Sequence, residues 1–249
     1  EIPTTPRNPF MFRDQVWLVN SKNKNSVLLS LKKESARYVF FDPTLTLSLP
    51  RRFIATTVIY SLAMAIEGYL STRSNFFSDT LFLNSIRLFN ENIMQAVDMS
   101  EDIASRTNLA LAGFFASLGL TMSEPGIATA VSFVLSGKYR VHKSLSISVM
   151  LPHVMEYYIT AIPVKLVKIA EYLGIDTSNL TTLEASMKAI EKIRRIIIEL
   201  QLPTRLEEFG LKKDDLIGIA DEARVLDMFN YIARPCSSEE LYDLLLTAY

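Results

Sequence analysis

The chain has 249 residues, 49% of them apolar, and its charges cancel to a formal −1. That is enough material for one large domain or a domain with a smaller lobe, and it excludes a disordered chain. A balanced charge gives no field to gather nucleic acid or an anionic membrane, and the single cysteine, Cys236, cannot close an internal disulfide, as fits a reducing, cytoplasmic setting.

The N-terminus, Glu1-Ile2-Pro3-Thr4-Thr5, carries neither an initiating Met nor the basic and apolar regions of a signal peptide, so a cut, processed or fragmentary chain is expected. Up to about residue 48 the runs Val16-Trp17-Leu18-Val19, Val27-Leu28-Leu29 and Tyr38-Val39-Phe40-Phe41 are β-prone and are separated by polar turn residues over 20–25. They predict a few strands, too small a sheet to stand alone.

From Pro50 onward the periodicity is helical. Phe82, Ile86, Phe89, Ile93 and Val97 recur at three- and four-residue spacing, as do Leu183, Met187, Ile190, Ile197 and Leu200, so each set is expected to line one buried helix face. The apolar runs 54–66 and 109–120 fall short of the ~20 residues of a membrane span and predict buried helices. Helix starts are expected where Ser, Thr or Asp precedes Glu by three: Asp98 and Glu101, Thr181 and Glu184, Thr204 and Glu207, Ser237 and Glu240. Gly174 and Gly210 suit helix C-termini. The basic cluster Lys192, Arg194 and Arg195 reads as a solvated helix face. No nucleophile elbow, phosphate loop, H-E-x-x-H or paired cysteine motif occurs.

Residues 57–69, TVIYSLAMAIEGY, resemble the metal-binding helix of iron-containing alcohol dehydrogenases, T-G-x-D-A-L-x-H-A-I-E-x-Y. The resemblance extends through Ile2-Pro3-Thr4-Thr5, Asp42-Pro43-Thr44-Leu45-Thr46, Leu151-Pro152-His153-Val154-Met155-Glu156-Tyr157 and Ile169-Ala170-Glu171-Tyr172-Leu173-Gly174 to the closing Arg234-Pro235 and Ser237-Ser238-Glu239-Glu240-Leu241. It implies a mainly α chain: an all-helical, dehydroquinate synthase-like C-terminal domain over 49–249, with a small β lobe over 1–48 as the remnant of a dinucleotide-binding domain. The family's glycine-rich G-G-G-S turn has no counterpart in these residues.

Family members hold Fe²⁺ or Zn²⁺ through one Asp and three His and take NAD(P) as cofactor. By the resemblance the four ligand positions fall on Tyr60, Met64, Thr129 and Lys143, and a further histidine beside the substrate falls on Phe133. His142 stands one residue short of the last ligand position, and a single donor is fewer than the three protein ligands of a catalytic zinc site. His153 is expected to pack or to face solvent. Lys143 is expected to place its own positive charge in the vacated space. On the cofactor side Thr4 and Thr5 match, but the family's A-G-T-G-S-E loop is replaced by Pro6-Arg7-Asn8-Pro9-Phe10-Met11, and its phosphate-facing Lys by Ser26. Prolines remove N–H donors and the bulky residues fill the approach to a phosphate. Glu67 matches a family helix residue and is expected to make a structural hydrogen bond or ion pair.

The expected metal and catalytic sets are therefore empty, with no cofactor. The former cleft is assigned to Tyr60, Met64, Thr129, Phe133, His142 and Lys143. Three readings follow: a non-catalytic structural or regulatory subunit, in a homo-oligomer or a hetero-oligomer; a truncated or partner-dependent NAD(P)-dependent alcohol dehydrogenase; or a module binding a small ligand in the old cleft, against which stands simple filling of the space by bulky side chains. No nucleic-acid or membrane partner is expected.

Overall fold

The computed structural model describes residues 1–7, 10–31, 38–99 and 101–249. Nine α-helices among them follow a two-stranded antiparallel hairpin, β1 (Gln15–Val19) with β2 (Ser26–Ser30), in which Trp17 lies opposite Leu28. The third expected strand, at Tyr38 to Phe41, does not form. Tyr38 and Phe40 are exposed, so their apolar side chains have no sheet face to fill.

Helix α1 (Arg51–Leu70) is the axis of the fold, and every residue from 54 to 70 in it is buried. A helix apolar on all sides belongs inside a core. At 20 residues it is longer than its apolar run suggested and long enough to cross a membrane, yet 94% of its most apolar stretch is buried within the protein. Around it pack α2 (Phe76–Asp98), α3 (Ile103–Gly119), α4 (Ile127–Lys138) and α5 (Lys143–Tyr157). The stripe from Phe82 to Val97 is buried as expected. Phe82 enters the narrow space between α1 and α3, where a Cβ on Gly68 or Gly119 would fall 2.5 Å or 2.6 Å from its ring.

The outer helices are α6 (Pro163–Tyr172), α7 (Thr182–Glu199), α8 (Asp215–Arg224) and α9 (Ser238–Ala248). On α7 the buried arc runs through Ser186, Ala189, Ile193 and Ile196, so Leu183 and Met187 fall at its edge and are 55% and 48% exposed, against expectation. The reciprocal caps Thr181–Glu184 and Ser237–Glu240 form. The other two do not. Asp98 ends α2 while Asp102 caps α3, and Glu208, not Glu207, accepts from the backbone N–H of Thr204 and Arg205. Gly174 and Gly210 take positive φ, 76° and 72°, where helical turns end. Cys236 is buried, and burial raises its thiol pKa, which suits an inert packing residue.

Two close approaches set the N-terminal segment against the helices. The Pro6 carbonyl accepts a hydrogen bond from the Ser61 hydroxyl at 2.8 Å and lies over α3 where a Cβ on Gly113 would be only 2.2 Å away. The hairpin turn meets α4 the same way: a Cβ on Gly137 would stand 2.3 Å from the Lys24 carbonyl. Ser26 donates to the Phe133 carbonyl at 2.8 Å, and Trp17 stacks on the Phe133 ring, centroids 4.4 Å apart and planes 22° from parallel.

Candidate functional site

The residues that the sequence brings forward divide into two neighbourhoods. The first is a sealed polar knot at the start of α4. That helix opens at Gly126 without a side-chain cap of its own, which leaves its first N–H groups in need of acceptors. Glu67, reaching across from α1, supplies them. Its carboxylate accepts from the N–H of Ala128 at 2.7 Å and of Thr129 at 3.1 Å, and from the Thr129 hydroxyl. The absent side chain of Gly126 makes room, since a Cβ there would sit 3.0 Å from Glu67 Oε1.

Glu67 is 2% exposed and Thr129 and Met64 are fully buried, with the Thr129 hydroxyl also 3.8 Å from Met64 Sδ. Burial raises the Glu67 pKa while the hydrogen bonds from Thr129, Ala128 and Gly126 oppose the shift. The expectation of a structural role for Glu67 is met here as an inter-helix cap. Glu124 also finds partners, Arg13 at 2.8 Å and Arg73 at 2.7 Å.

The second neighbourhood is an open cleft of about 660 Å³ between the N-terminal segment, the hairpin and helices α1, α4 and α5. Its charged and aromatic lining includes Arg7, Phe10, Trp17, Tyr60, Phe133 and Lys143. The Arg7 guanidinium lies 4.4 Å from the centroid of the Tyr60 ring, and Lys143 Nζ lies 3.8 Å from that of Phe133, so each cation rests on the electron-rich face of a buried ring. Burial pushes the Tyr60 phenol up to about 12, with Arg7 pulling it back. The Lys143 ammonium is pushed down to about 8, first by burial and then by the like charge of Arg7.

The former-cleft assignment is thus split. Tyr60, Phe133 and Lys143 line the open space. Met64 and Thr129 do not, because they are closed off beside Glu67. His142 is exposed at the start of α5, where its side chain caps nothing, and partial desolvation of its ring, with the like charges of Arg7 and Lys143, lowers its pKa. Thr5 lines the cleft and its hydroxyl accepts from the Arg7 N–H at 3.3 Å, whereas Thr4 points to solvent. Asn8 and Pro9 of the altered loop lie outside the described residues. His153 is 8% exposed, 3.7 Å from Glu156 and away from the cleft.

Arg7 and Trp17 are the residues that sequence reading passed over as site components. A lone arginine in the altered loop and the single tryptophan were visible signals, but nothing in their spacing pointed to Tyr60 or Phe133. Among the described residues no three His, Cys, Asp or Glu side chains converge as a metal would need. Tyr60, Met64, Thr129 and Lys143 offer a phenol that stays protonated, a thioether, a hydroxyl already committed and a cation. Such a set does not fit Fe²⁺ or Zn²⁺, which call for imidazole and carboxylate donors.

Residues 54–249 match the model of the Fe-containing alcohol dehydrogenase family, C-terminal region. The chain is 31% identical over 206 residues to 1,3-propanediol dehydrogenase of Citrobacter freundii, covering 83% of this chain and 53% of that one. It is 33% identical over 189 residues to choline dehydrogenase of Bacillus subtilis, covering 76% and 47%. It therefore spans about half the length of the curated relatives it matches. A crystal structure of 1,3-propanediol oxidoreductase superposes with a TM-score of 0.96 at 27% identity, over 100% of this chain and 65% of the other. An alcohol dehydrogenase from Oenococcus oeni shares the fold with a TM-score of 0.96 at 22% identity, over 100% and 65%. The chain belongs to the Fe-containing alcohol dehydrogenase family, of which it carries the C-terminal, helical part.

Proposed function

We propose that this chain works without a metal ion or a dinucleotide, as a structural or regulatory subunit that keeps the family's helical framework in a homo-oligomer or hetero-oligomer. One observation carries the reading. The Thr129 hydroxyl, which lies 3.8 Å from Met64 Sδ, and the Glu67 carboxylate are bound to each other and to the start of α4, while the cations Arg7 and Lys143 stand in the cleft alongside. A divalent ion placed there would face two positive side chains and, among the described lining residues, only the single carboxylate of Glu1, too little negative charge for a metal centre.

Hydride transfer in the relatives named for alcohols is the competing reading. It needs a group to polarise the alcohol or carbonyl oxygen, and with a divalent ion that group is a Lewis acid. The test is elemental analysis by mass spectrometry of protein incubated with Fe²⁺ and Zn²⁺ and then desalted, alongside a titration with NAD⁺ and NADH followed by Trp17 fluorescence. Substoichiometric metal and no saturable nucleotide response are expected. One metal retained per chain, or NAD⁺ reduction with 1,3-propanediol that follows the protein through purification, overturns the proposal.

The open volume favours a second reading, ligand binding in the cleft. Filling of the old site is complete at Met64 and Thr129, both fully buried, but stops short of the space in front of Arg7, Trp17 and Lys143.

A further inference from the structure

The cleft combines three features that ordinary core filling does not produce. It is open and about 660 Å³ in volume, the size of a small-molecule site. Its walls are aromatic and flat, with Trp17 stacked on Phe133 at 4.4 Å and Tyr60 buried in the floor. Two cations project into it, and among the described residues neither Arg7 nor Lys143 makes an ion pair with a carboxylate. Glu1 also lines the space, yet it forms no such pair with either.

Partly desolvated cations without counterions are unfavourable as they stand, and an anion between them reverses the sign of the interaction. A guanidinium and an ammonium lining one cleft suit a carboxylate. Aromatic faces beside them suit a flat apolar body. We infer that the cleft binds a small organic carboxylate with a planar apolar body, the carboxylate held by Arg7 and Lys143 and the body laid against the partly exposed Trp17 and Phe10. This rests on the metal-free reading above, because a divalent ion in the cleft would itself hold the anion.

The test is calorimetric titration of metal-stripped protein, in a buffer free of carboxylate and phosphate, with benzoate as probe. Benzyl alcohol supplies the same body without the charge, and inorganic phosphate supplies charge without the body. Saturable one-to-one benzoate binding is expected, at least about ten-fold tighter than either control. Arg7→Gln and Lys143→Met should each weaken benzoate about ten-fold or more and leave benzyl alcohol unchanged. Both side chains are partly exposed, and circular dichroism checks that each variant folds; Lys143→Gln replaces any that does not. Absence of saturable benzoate binding, equal binding of benzyl alcohol or of phosphate, or wild-type benzoate affinity in a folded variant overturns the inference. Retained metal in the elemental analysis would sink the metal-free reading by itself, while the titration on stripped protein still decides whether the two cations bind the carboxylate.

Discussion

The knot around Glu67 and the cleft around Lys143 lie on the same helices and have opposite characters. In the knot every polar group has a partner within the chain: one carboxylate serves two backbone N–H groups and a hydroxyl, and no solvent reaches it. In the cleft two cations share a space with aromatic rings, and among the described residues neither is paired with a carboxylate, Glu1 of the lining included. The first arrangement specifies structure, because a satisfied buried network fixes where α4 starts relative to α1. The second leaves charge unsatisfied where the chain is open, which is where binding functions reside.

Substitutions can break this contrast. The largest effect is expected from Glu67→Ala, which would strand buried donors at the start of α4 and cost about 3–5 kcal/mol of stability, read by chemical denaturation. Gly113→Ala should come next. The new methyl would meet the Pro6 carbonyl at 2.2 Å, and relief requires moving the segment that carries Arg7, at a cost of about 1–3 kcal/mol. Limited proteolysis should then cut near Pro6 faster than in the wild type.

Lys143→Met should act in the opposite direction and stabilise the protein at neutral pH by about 1–2 kcal/mol, since an uncompensated, partly buried charge is exchanged for an apolar side chain of similar length. The pH dependence sharpens this. The Lys143 ammonium is held near about 8 in the folded chain against an ordinary value of 10.5. Below about 8 both states carry the proton and the folded state bears the full penalty. Between about 8 and 10.5 the unfolded chain still binds a proton that the folded chain has released, so wild-type stability should climb through that window. Denaturation midpoints measured at pH 7 and pH 9.5 should therefore converge between variant and wild type. Either a destabilised Lys143→Met protein or a constant difference across that range would refute the description of the cleft as electrostatically unsatisfied. The smallest effect is expected from Phe133→Leu, about 1 kcal/mol or less from lost stacking, with a red shift of Trp17 emission as the ring loses its partner.

The helical plan was legible in the chain because it follows from local rules. The buried stripe of Phe82, Ile86 and Phe89, the caps at Thr181 and Ser237, and the terminating turns at Gly174 and Gly210 all form as read. Readings failed where the outcome depended on a distant surface. Leu183 and Met187 keep the right spacing but sit at the edge of the buried arc of α7, which its packing against α6 and α5 decides. Tyr38 to Phe41 have β-prone composition but no adjoining strand among the described residues.

The site shows the same division. The resemblance read in the sequence assigns Tyr60 and Met64 to the family's first two ligand positions, from a motif of fixed spacing on one helix, and Thr129 and Lys143 to the others, from spacing counted back from Pro152. It also led to the expectation of a structural hydrogen bond or ion pair for Glu67, an isolated carboxylate that must find donors. Tertiary structure decided that Met64 and Thr129 close into the core while Tyr60 and Phe133 face an opening, and that Arg7, more than fifty positions before Tyr60, lies on its ring. Burial and the pairing of charges across long stretches of chain come from how helices and hairpin dock, and no local pattern of residues encodes them.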